Sequence, residues 1–121
     1  MPTNFPNNIN LLELDEDDYT PGINLIDYRD LGFSVALDRY GSPLWFSDVE
    51  NEVKFCAIQI LPNGNITGTG WEGQFYNTGY EISLDGEIIF FTIIDDLHHD
   101  FIKTVKNTYF GLFKVFQQHP A

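Results

Sequence analysis

Residues 53–71 read VKFCAIQILPNGNITGTGW and have the pattern of two β-strands joined by a tight turn. The dipeptide Asn63-Gly64 tolerates the two positive φ angles of a type I′ turn. A hairpin centred on that dipeptide pairs Leu61 with Ile66 across the two strands. The middle of the chain therefore predicts an antiparallel β-hairpin.

A second hairpin is predicted around Asp85-Gly86, another dipeptide typical of tight turns. Its register places Tyr80 opposite Phe91 and collects apolar side chains on one face. Because residues 87–94 are apolar on both faces, we expect that strand to lie in the centre of the sheet.

The segment upstream of these hairpins also has strand character. Residues 33–38 alternate like a strand, and a turn after them returns the chain through residues 44–46. Residues 23–31 carry apolar side chains at a spacing compatible with a short helix. The tetrapeptide Ser47-Asp48-Val49-Glu50 has the spacing of a capping box, which supports one short helical turn.

The C-terminal part of the chain has the pattern of an amphipathic helix. Asp95 and Asp96 supply an N-cap and a first-turn acid, and His119-Pro120 stops the helix. Gly111 within it indicates close approach of a strand or a bulky ring. The apolar stripe consists of Leu97, Phe101, Val105, Tyr109, Leu112 and Phe116. The sequence therefore predicts an α+β fold, in which an antiparallel β-sheet of about five strands is packed on one face by a long C-terminal helix.

A chain of 121 residues with 43% hydrophobic content supports one folded core. We expect a single domain over 1–121, with an irregular acidic arm over 1–22, a mainly β part over 23–94 and the C-terminal helix over 95–119. The single cysteine, Cys56, cannot form an internal disulfide, which fits a reducing compartment. The N-terminus lacks the pattern of a signal peptide, and the apolar runs are too short for a membrane helix. We therefore expect a cytoplasmic protein without membrane contact.

The net charge of −12 is the feature that departs furthest from an average domain. Residues 1–52 contain 11 acidic and two basic side chains. Phosphate backbones bind to cationic patches, so this composition argues against direct contact with nucleic acid. The predicted partner is instead a basic protein.

One stretch matches the sequence motif of a nucleotide-binding loop. Residues 68–73 read G-x-G-x-x-G. In a dinucleotide-binding loop the last glycine opens a helix, but residues 74–79 have turn and strand character, and Glu72 would repel a phosphate. We expect a glycine-rich strand and loop here, and we predict no cofactor.

A cluster of ionisable residues lies at the start of the predicted helix: Asp95, Asp96, His98, His99 and Asp100. Two histidines and a carboxylate can hold a divalent metal. Adjacent histidines point about 100° apart on a helix, however, which disfavours joint ligation. The carboxylates also have a capping role. We predict no metal site, and because no serine, cysteine or histidine falls in a nucleophile-elbow spacing, we predict no enzymatic activity.

Aromatic side chains are interleaved with the acidic ones in the N-terminal half of the chain. Rings provide anchors in protein interfaces, and carboxylates steer a basic partner towards them. The alternative is a solvated acidic face that keeps the protein in solution. The candidate partner-binding residues are Asp15, Glu16, Asp17, Asp18, Tyr19, Trp45, Asp48, Glu50 and Glu52.

In composition, although in no motif, the chain resembles bacterial immunity proteins that neutralise nuclease toxins. The resemblance implies an inhibitor of a basic toxin, and it carries over no site residue. From the charge of this chain, we expect carboxylates in 13–18 and 48–52 to occupy the groove in which the toxin binds phosphates. One alternative function is that of a phage-type nucleic-acid mimic that occupies a defence protein. Another is that of a small metal-dependent enzyme using His98 and His99.

Overall fold

The computed structural model describes residues 22–28, 31–71, 77–94 and 97–113, which contain nine β-strands. They form three antiparallel sheets with the orders β1-β2-β3, β4-β5-β6-β7 and β8-β9. Within these ranges the helical structure is short, with a 3-10 turn at Glu50–Glu52 and no helix of seven or more residues. The strands are β1 (Asn24–Tyr28), β2 (Phe33–Leu37), β3 (Pro43–Phe46), β4 (Phe55–Ile60), β5 (Ile66–Gly70), β6 (Thr78–Ile82), β7 (Ile88–Ile93), β8 (Leu97–Lys103) and β9 (Tyr109–Phe113).

The predicted α+β fold is wrong, because the segment expected to form a helix over 95–119 contains the β8–β9 hairpin. Apolar residues four positions apart share one face of a strand as well as one face of a helix, since four is twice the strand period. The β-branched and aromatic residues that fill this segment favour strands. Val105, which the helical stripe would bury, is 100% exposed in the loop between β8 and β9.

That loop is closed by local hydrogen bonds. The N–H of Thr104 donates to the C=O of Thr108 (2.8 Å), and Asn107 adopts a left-handed φ of 60°. Asparagine tolerates this conformation well, so it completes the turn at small strain. Asp95, Asp96 and residues 114–119 of the predicted helix lie outside the described residues.

The first predicted hairpin is present, but its register differs by one position at the turn. The N–H of Leu61 donates to the C=O of Asn65 (2.7 Å), which closes a three-residue loop rather than a two-residue one. The loop begins with a proline, which suits the first central position of a type I turn and leaves only Gly64 (φ 90°) in the left-handed region. Ile66 therefore pairs with Ile60 instead of Leu61.

The second predicted hairpin has the same kind of three-residue loop. Ser83 N–H donates to the C=O of Glu87 (2.9 Å), and Gly86 has the left-handed φ of 86°. The predicted pairing of Tyr80 with Phe91 is confirmed, but the same register also pairs Ile82 with Ile89, and this is wrong because a shift near the turn pairs Ile82 with Ile88.

The predicted central position of residues 87–94 is wrong. In the described four-stranded sheet β7 is the last strand, and four of its six side chains are exposed. A run that is apolar on both faces is typical of a central strand, but here it lies at an edge.

The hairpin predicted upstream is confirmed as β2 and β3, and residues 24–28, whose spacing was also compatible with a short helix, form β1. Ser34 in β2 is fully buried and fastens this sheet to β4. Its Oγ donates to Asp27 Oδ1 (2.6 Å) and accepts the N–H of Ala57 (2.8 Å), while its own N–H donates to Ser47 Oγ (2.8 Å). Ser47 is thus used here rather than in the predicted capping box, and the 3-10 turn has no side-chain cap.

Two apolar clusters form the core of the part of the chain that the structure describes. The larger joins Phe55 of β4, Tyr80 and Ile82 of β6 and the segment before β4, and the smaller centres on Val35 of β2. Cys56 is buried in β4, as expected for a small apolar side chain. No helix in the described ranges has the length and apolarity needed to cross a membrane.

Glycines of the four-stranded sheet allow two phenylalanine rings to pack closely against it. A Cβ at Gly79 would lie 2.6 Å from Cε1 of Phe101, a ring that is 1% exposed. Gly68 lies in β5, where a Cβ would be 2.5 Å from Cζ of Phe55. The glycine-rich strand expected in place of a nucleotide-binding loop is therefore confirmed for residues 68–70.

Candidate functional site

The segment after β3 is docked on the turn between β6 and β7. The N–H of Glu50 donates to the C=O of Gly86 (2.9 Å), and Oε1 of Glu50 accepts the N–H of Ile88 (2.8 Å). A Cβ at Gly86 would overlap the main-chain oxygen of Asp48. Two segments far apart in sequence are therefore held against each other.

The docked segment is held in an unusual backbone conformation. Asn51 and Glu52 have φ angles of 61° and 57°, in the left-handed region. For residues other than glycine this conformation costs about 1 kcal/mol or more, and it persists only where surrounding contacts fix it. The two hydrogen bonds of Glu50 supply such contacts, so the main chain of this segment and the Glu50 carboxylate have a defined position.

Trp45 of β3 joins the first sheet to the same turn. Its indole N–H donates to the C=O of Leu84 (2.8 Å). The ring is half-buried and packs against the larger core cluster. Trp45 therefore serves both the fold and the surface beside Leu84.

An apolar cavity of about 190 Å³ opens beside this tryptophan and is called the Trp45 pocket below. Leu84, Ile23 and Ile60, at 50–53% exposed, form its accessible wall, and Ile66 closes its floor. The pocket is open to solvent and lined by apolar residues, which are the properties of a site that receives an apolar side chain.

Five exposed carboxylates lie around the docked segment and the turn. We call this group the acidic rim, and it consists of Asp48, Glu50, Glu52, Asp85 and Glu87. Leu84 directly precedes Asp85, so the Trp45 pocket and the acidic rim share one surface. The combination offers an apolar anchor point beside negative charge.

The structure brings together part of the predicted site. Trp45, Asp48, Glu50 and Glu52 lie on this surface, whereas residues 15–19 are outside the described residues. Sequence reasoning missed Leu84, Asp85 and Glu87 as members of the site. The sequence predicts the turn at Asp85-Gly86. The tertiary contact of Gly86 with Glu50 is what places the Asp85 carboxylate beside residues 48–52, and no local pattern shows it.

A second polar cluster lies between β6 and the β8–β9 hairpin. The carboxylate of Glu81, whose side chain is 1% exposed, accepts three hydrogen bonds. Oε1 accepts from Nζ of Lys103 (2.9 Å) and from the hydroxyl of Tyr109 (2.6 Å), and Oε2 accepts from Nδ2 of Asn65 (2.7 Å). The ring of Tyr109 is also stacked on Phe90, with 4.2 Å between ring centroids.

This environment shifts three pKa values. Burial acts to raise the pKa of Glu81, but the hydrogen bonds from Tyr109, Asn65 and Lys103 and the charge of Lys103 outweigh it, so the pKa is lowered. The hydrogen bond to Glu81 raises the pKa of Lys103. Burial, followed by the Glu81 carboxylate, raises the pKa of Tyr109. The ammonium and the phenol therefore keep their protons, and neither has the lowered pKa of a nucleophile or a general base.

A cavity of about 470 Å³ lies next to this cluster, between the β4–β5 turn and the β8–β9 loop. Gln59 lines it and binds both main-chain groups of Lys103, accepting from the N–H (2.9 Å) and donating to the C=O (3.2 Å). These polar groups fasten β8 to β4. The Glu81 cluster is thus a clamp between hairpins, and the acidic rim with the Trp45 pocket is the better candidate for function.

The described residues contain no group of three or more histidine, cysteine, aspartate or glutamate side chains arranged to hold a metal ion. His98 and His99 are in β8, so the helical spacing that set Asp95 beside them does not apply. A comparison of the chain with protein-family models, curated proteins and solved structures gave no match.

Proposed function

We propose that this chain is a binding protein that captures a basic protein on the surface formed by the Trp45 pocket and the acidic rim. The observation that carries the proposal is the docking of Glu50 on Gly86, which holds the acidic segment 48–52 against the turn whose Leu84 lines an apolar pocket. An apolar anchor contributes affinity through burial, while exposed carboxylates raise the association rate with a basic partner.

The most specific form of this proposal is an immunity protein that neutralises a bacterial toxin of the nuclease type in the cytoplasm. Nucleases hold phosphate groups in basic grooves. Carboxylates of the acidic rim can occupy such a groove and keep the substrate out, while the pocket accepts an apolar side chain from the groove's edge. The net charge of −12 favours fast encounter with a basic toxin.

A nucleic-acid mimic is the second candidate, and the pocket argues against it. A mimic presents carboxylates as a track that any phosphate-binding protein can follow, and such a track needs no apolar anchor. The Trp45 pocket requires a partner of complementary shape as well as opposite charge, which favours one specific partner over many phosphate-binding proteins.

Affinity capture tests the proposal. Three immobilised proteins are compared on one lysate of the source cells: the unchanged chain, a rim variant with Asp48→Asn, Asp85→Asn and Glu87→Gln, and a control with Asp100→Asn, a half-buried carboxylate outside the rim. We expect a basic protein to be retained by the unchanged chain and the control and lost with the rim variant. The purified partner should be a nuclease that an equimolar amount of the chain inhibits.

Two results would contradict the proposal. One is a specific partner with an acidic surface. The other is a partner that the rim variant retains as well as the unchanged chain does, because binding would then not depend on these carboxylates. Capture of many unrelated nucleic-acid-binding proteins, each lost with the rim variant, would favour the mimic.

A further inference from the structure

The open edge of β7 presents main-chain groups to the outside of the four-stranded sheet. The N–H of Ile94 donates to the C=O of Asn77, on the side of β6 (2.8 Å). Hydrogen bonding alternates along an antiparallel ladder, so Thr92 faces β6 while Phe91 and Ile93 direct their N–H and C=O groups away from it. In the described sheet no strand follows β7 on that side.

The same edge is apolar and keeps a regular register with β6 from Phe90 to Ile93, beyond a shift in register opposite Glu81 and Ile82. Phe91 is 60% exposed and Ile93 is 70% exposed. The sequence of β7, IIFFTI, contains no lysine and no proline, the residues that commonly block an edge strand. An exposed apolar edge of this length is a template for an added strand.

The N-terminal end of this edge is marked by a carboxylate. The N–H of Ile88 points away from the β6 ladder, and Oε1 of Glu50 accepts it at 2.8 Å. Glu87 and Asp85 lie next to this point in the sequence and are exposed. A strand laid along β7 therefore ends beside the acidic rim.

We infer that the β7 edge binds an extended, apolar segment of the basic partner as an added antiparallel strand, with lysine or arginine following that segment. In the antiparallel orientation the end of the added strand lies at Ile88, where the basic side chains meet Glu50 and Glu87. A second copy of this chain is the less suitable occupant, because pairing would bring together two chains that each carry a net charge of −12. The inference rests on the proposed function and names the part of the partner that binds.

A synthetic peptide tests it without knowledge of the partner. The probe alternates valine and threonine and ends in lysines. A control peptide has the same lysines after a flexible glycine-serine segment, so it keeps the charge and loses the strand. We expect the strand-forming probe to slow hydrogen exchange at the amides of Phe91 and Ile93, and the control peptide to leave them unprotected.

Variants of the chain locate the effect. Phe91→Pro removes an N–H that points away from β6, so it leaves the hydrogen bonds between β6 and β7 in place. It should lower the affinity for the strand-forming probe about tenfold. Ile93→Thr should also weaken the probe, while Leu112→Thr, a similar change at a residue that is 59% exposed on β9, should not. Circular dichroism of each variant confirms the fold.

The outcomes separate this inference from the proposed function. In one outcome both peptides bind, the rim variant loses that binding, and the β7 amides stay unprotected. This result overturns the added strand and leaves the acidic rim as a binding site. Protection of β7 that grows with the concentration of the chain alone shows that a second copy occupies the edge, and also overturns it. Absence of binding by either lysine peptide counts against both proposals.

Discussion

The ammonium of Lys103 lies 2.9 Å from Oε1 of Glu81, and the two ends of this ion pair differ in their access to water. The Lys103 side chain is 19% exposed, whereas that of Glu81 is 1% exposed. If the pair is broken, an orphaned ammonium can turn to solvent, but an orphaned carboxylate remains in a site from which water is excluded. The pair joins β8 to β6, so the attachment of the β8–β9 hairpin depends on it.

Substitution of either partner should therefore have unequal effects. Glu81→Gln keeps the shape of the side chain and should lower the free energy of unfolding by about 2 kcal/mol. Lys103→Met leaves the buried carboxylate without its counter-charge and should destabilise the protein more. The double variant should be more stable than Lys103→Met alone, because no buried charge remains. Chemical denaturation of the three variants checks this order, and a double variant no better than Lys103→Met would contradict it.

The pKa shifts in the same cluster predict how stability changes with pH. Because the pKa of Glu81 is lowered in the folded protein, its contribution is complete above its ordinary pKa of about 4.3 and is lost as the pH falls through the folded value. The raised pKa values of Lys103 and Tyr109 give contributions that are complete below their ordinary values of about 10 and are lost as the pH rises through the folded values.

Thermal unfolding measured against pH tests this prediction. The difference in melting temperature between the unchanged chain and Glu81→Gln should be constant from about pH 5 to pH 9 and should shrink on the acid side. Comparing the two proteins at each pH removes the effect of the other carboxylates, whose protonation relieves repulsion across the whole surface. A difference that stays constant down to pH 2 would show that the Glu81 pKa is not lowered.

Two glycines should respond differently to replacement by alanine. A methyl group at Gly79 would meet the Phe101 ring, which is fully packed, while a methyl at Gly111 would meet the terminal methyl groups of Leu97 (2.8 Å) and Ile94 (2.9 Å). Flexible side-chain ends can move aside more cheaply than a buried ring. Gly79→Ala should cost about 3 kcal/mol and Gly111→Ala clearly less. Equal losses in denaturation experiments would show that Phe101 can move freely.

Gly111 illustrates which features of the fold the sequence could reveal. The expected close approach of a bulky neighbour at Gly111 is confirmed, although the residue lies in a strand. Turn dipeptides located both central hairpins, because the conformation of glycine is a local property. The helix prediction for 97–113 depended on steps of four from Leu97 to Tyr109, which both structures satisfy, and on one step of three to Leu112, which fits only a helix.

The candidate site was predictable only in part, for a similar reason. The charge of residues 48–52 and the aromatic Trp45 are visible in the sequence. Their meeting with Leu84 and Asp85 depends on one main-chain hydrogen bond, from Glu50 to Gly86, and on the indole bond to Leu84. No local pattern encodes those contacts.

The docking of the acidic segment on Gly86 can be tested directly. Gly86→Ala places a methyl group against the main-chain oxygen of Asp48 and adds strain at a φ of 86°. We expect the segment 48–52 to leave the turn, which would increase hydrogen exchange at the amides of Glu50 and Ile88. Gly64→Ala is the matched control, because it adds the same strain at a φ of 90° where the nearest atom is a methyl of Leu84 at 3.7 Å. Equal exchange in the two variants would contradict the docking.

Association kinetics with the captured partner separate the charges of the site from its apolar anchor. A variant with Asp48→Asn, Glu50→Gln, Asp85→Asn and Glu87→Gln should associate about tenfold more slowly, because exposed carboxylates act mainly by steering the encounter. Glutamine at position 50 retains an oxygen that can accept the N–H of Ile88, so the docked segment should keep its place. Neutralising Asp15 to Asp18 in the N-terminal arm is predicted to slow association in the same way.

The apolar anchor should act on dissociation. Trp45→Ala is unsuitable for this test, because the ring packs against the core and its loss would damage the fold. Leu84→Ala removes a side chain that is 53% exposed, keeps the main-chain oxygen that accepts the indole N–H, and should raise the dissociation rate about tenfold.

Added salt should slow association of the unchanged chain, since the screening length is about 8 Å at physiological ionic strength, and should leave the effect of Leu84→Ala unaltered. If neither salt nor the four substitutions change the association rate, the acidic rim is only a solvated surface and does not steer the partner.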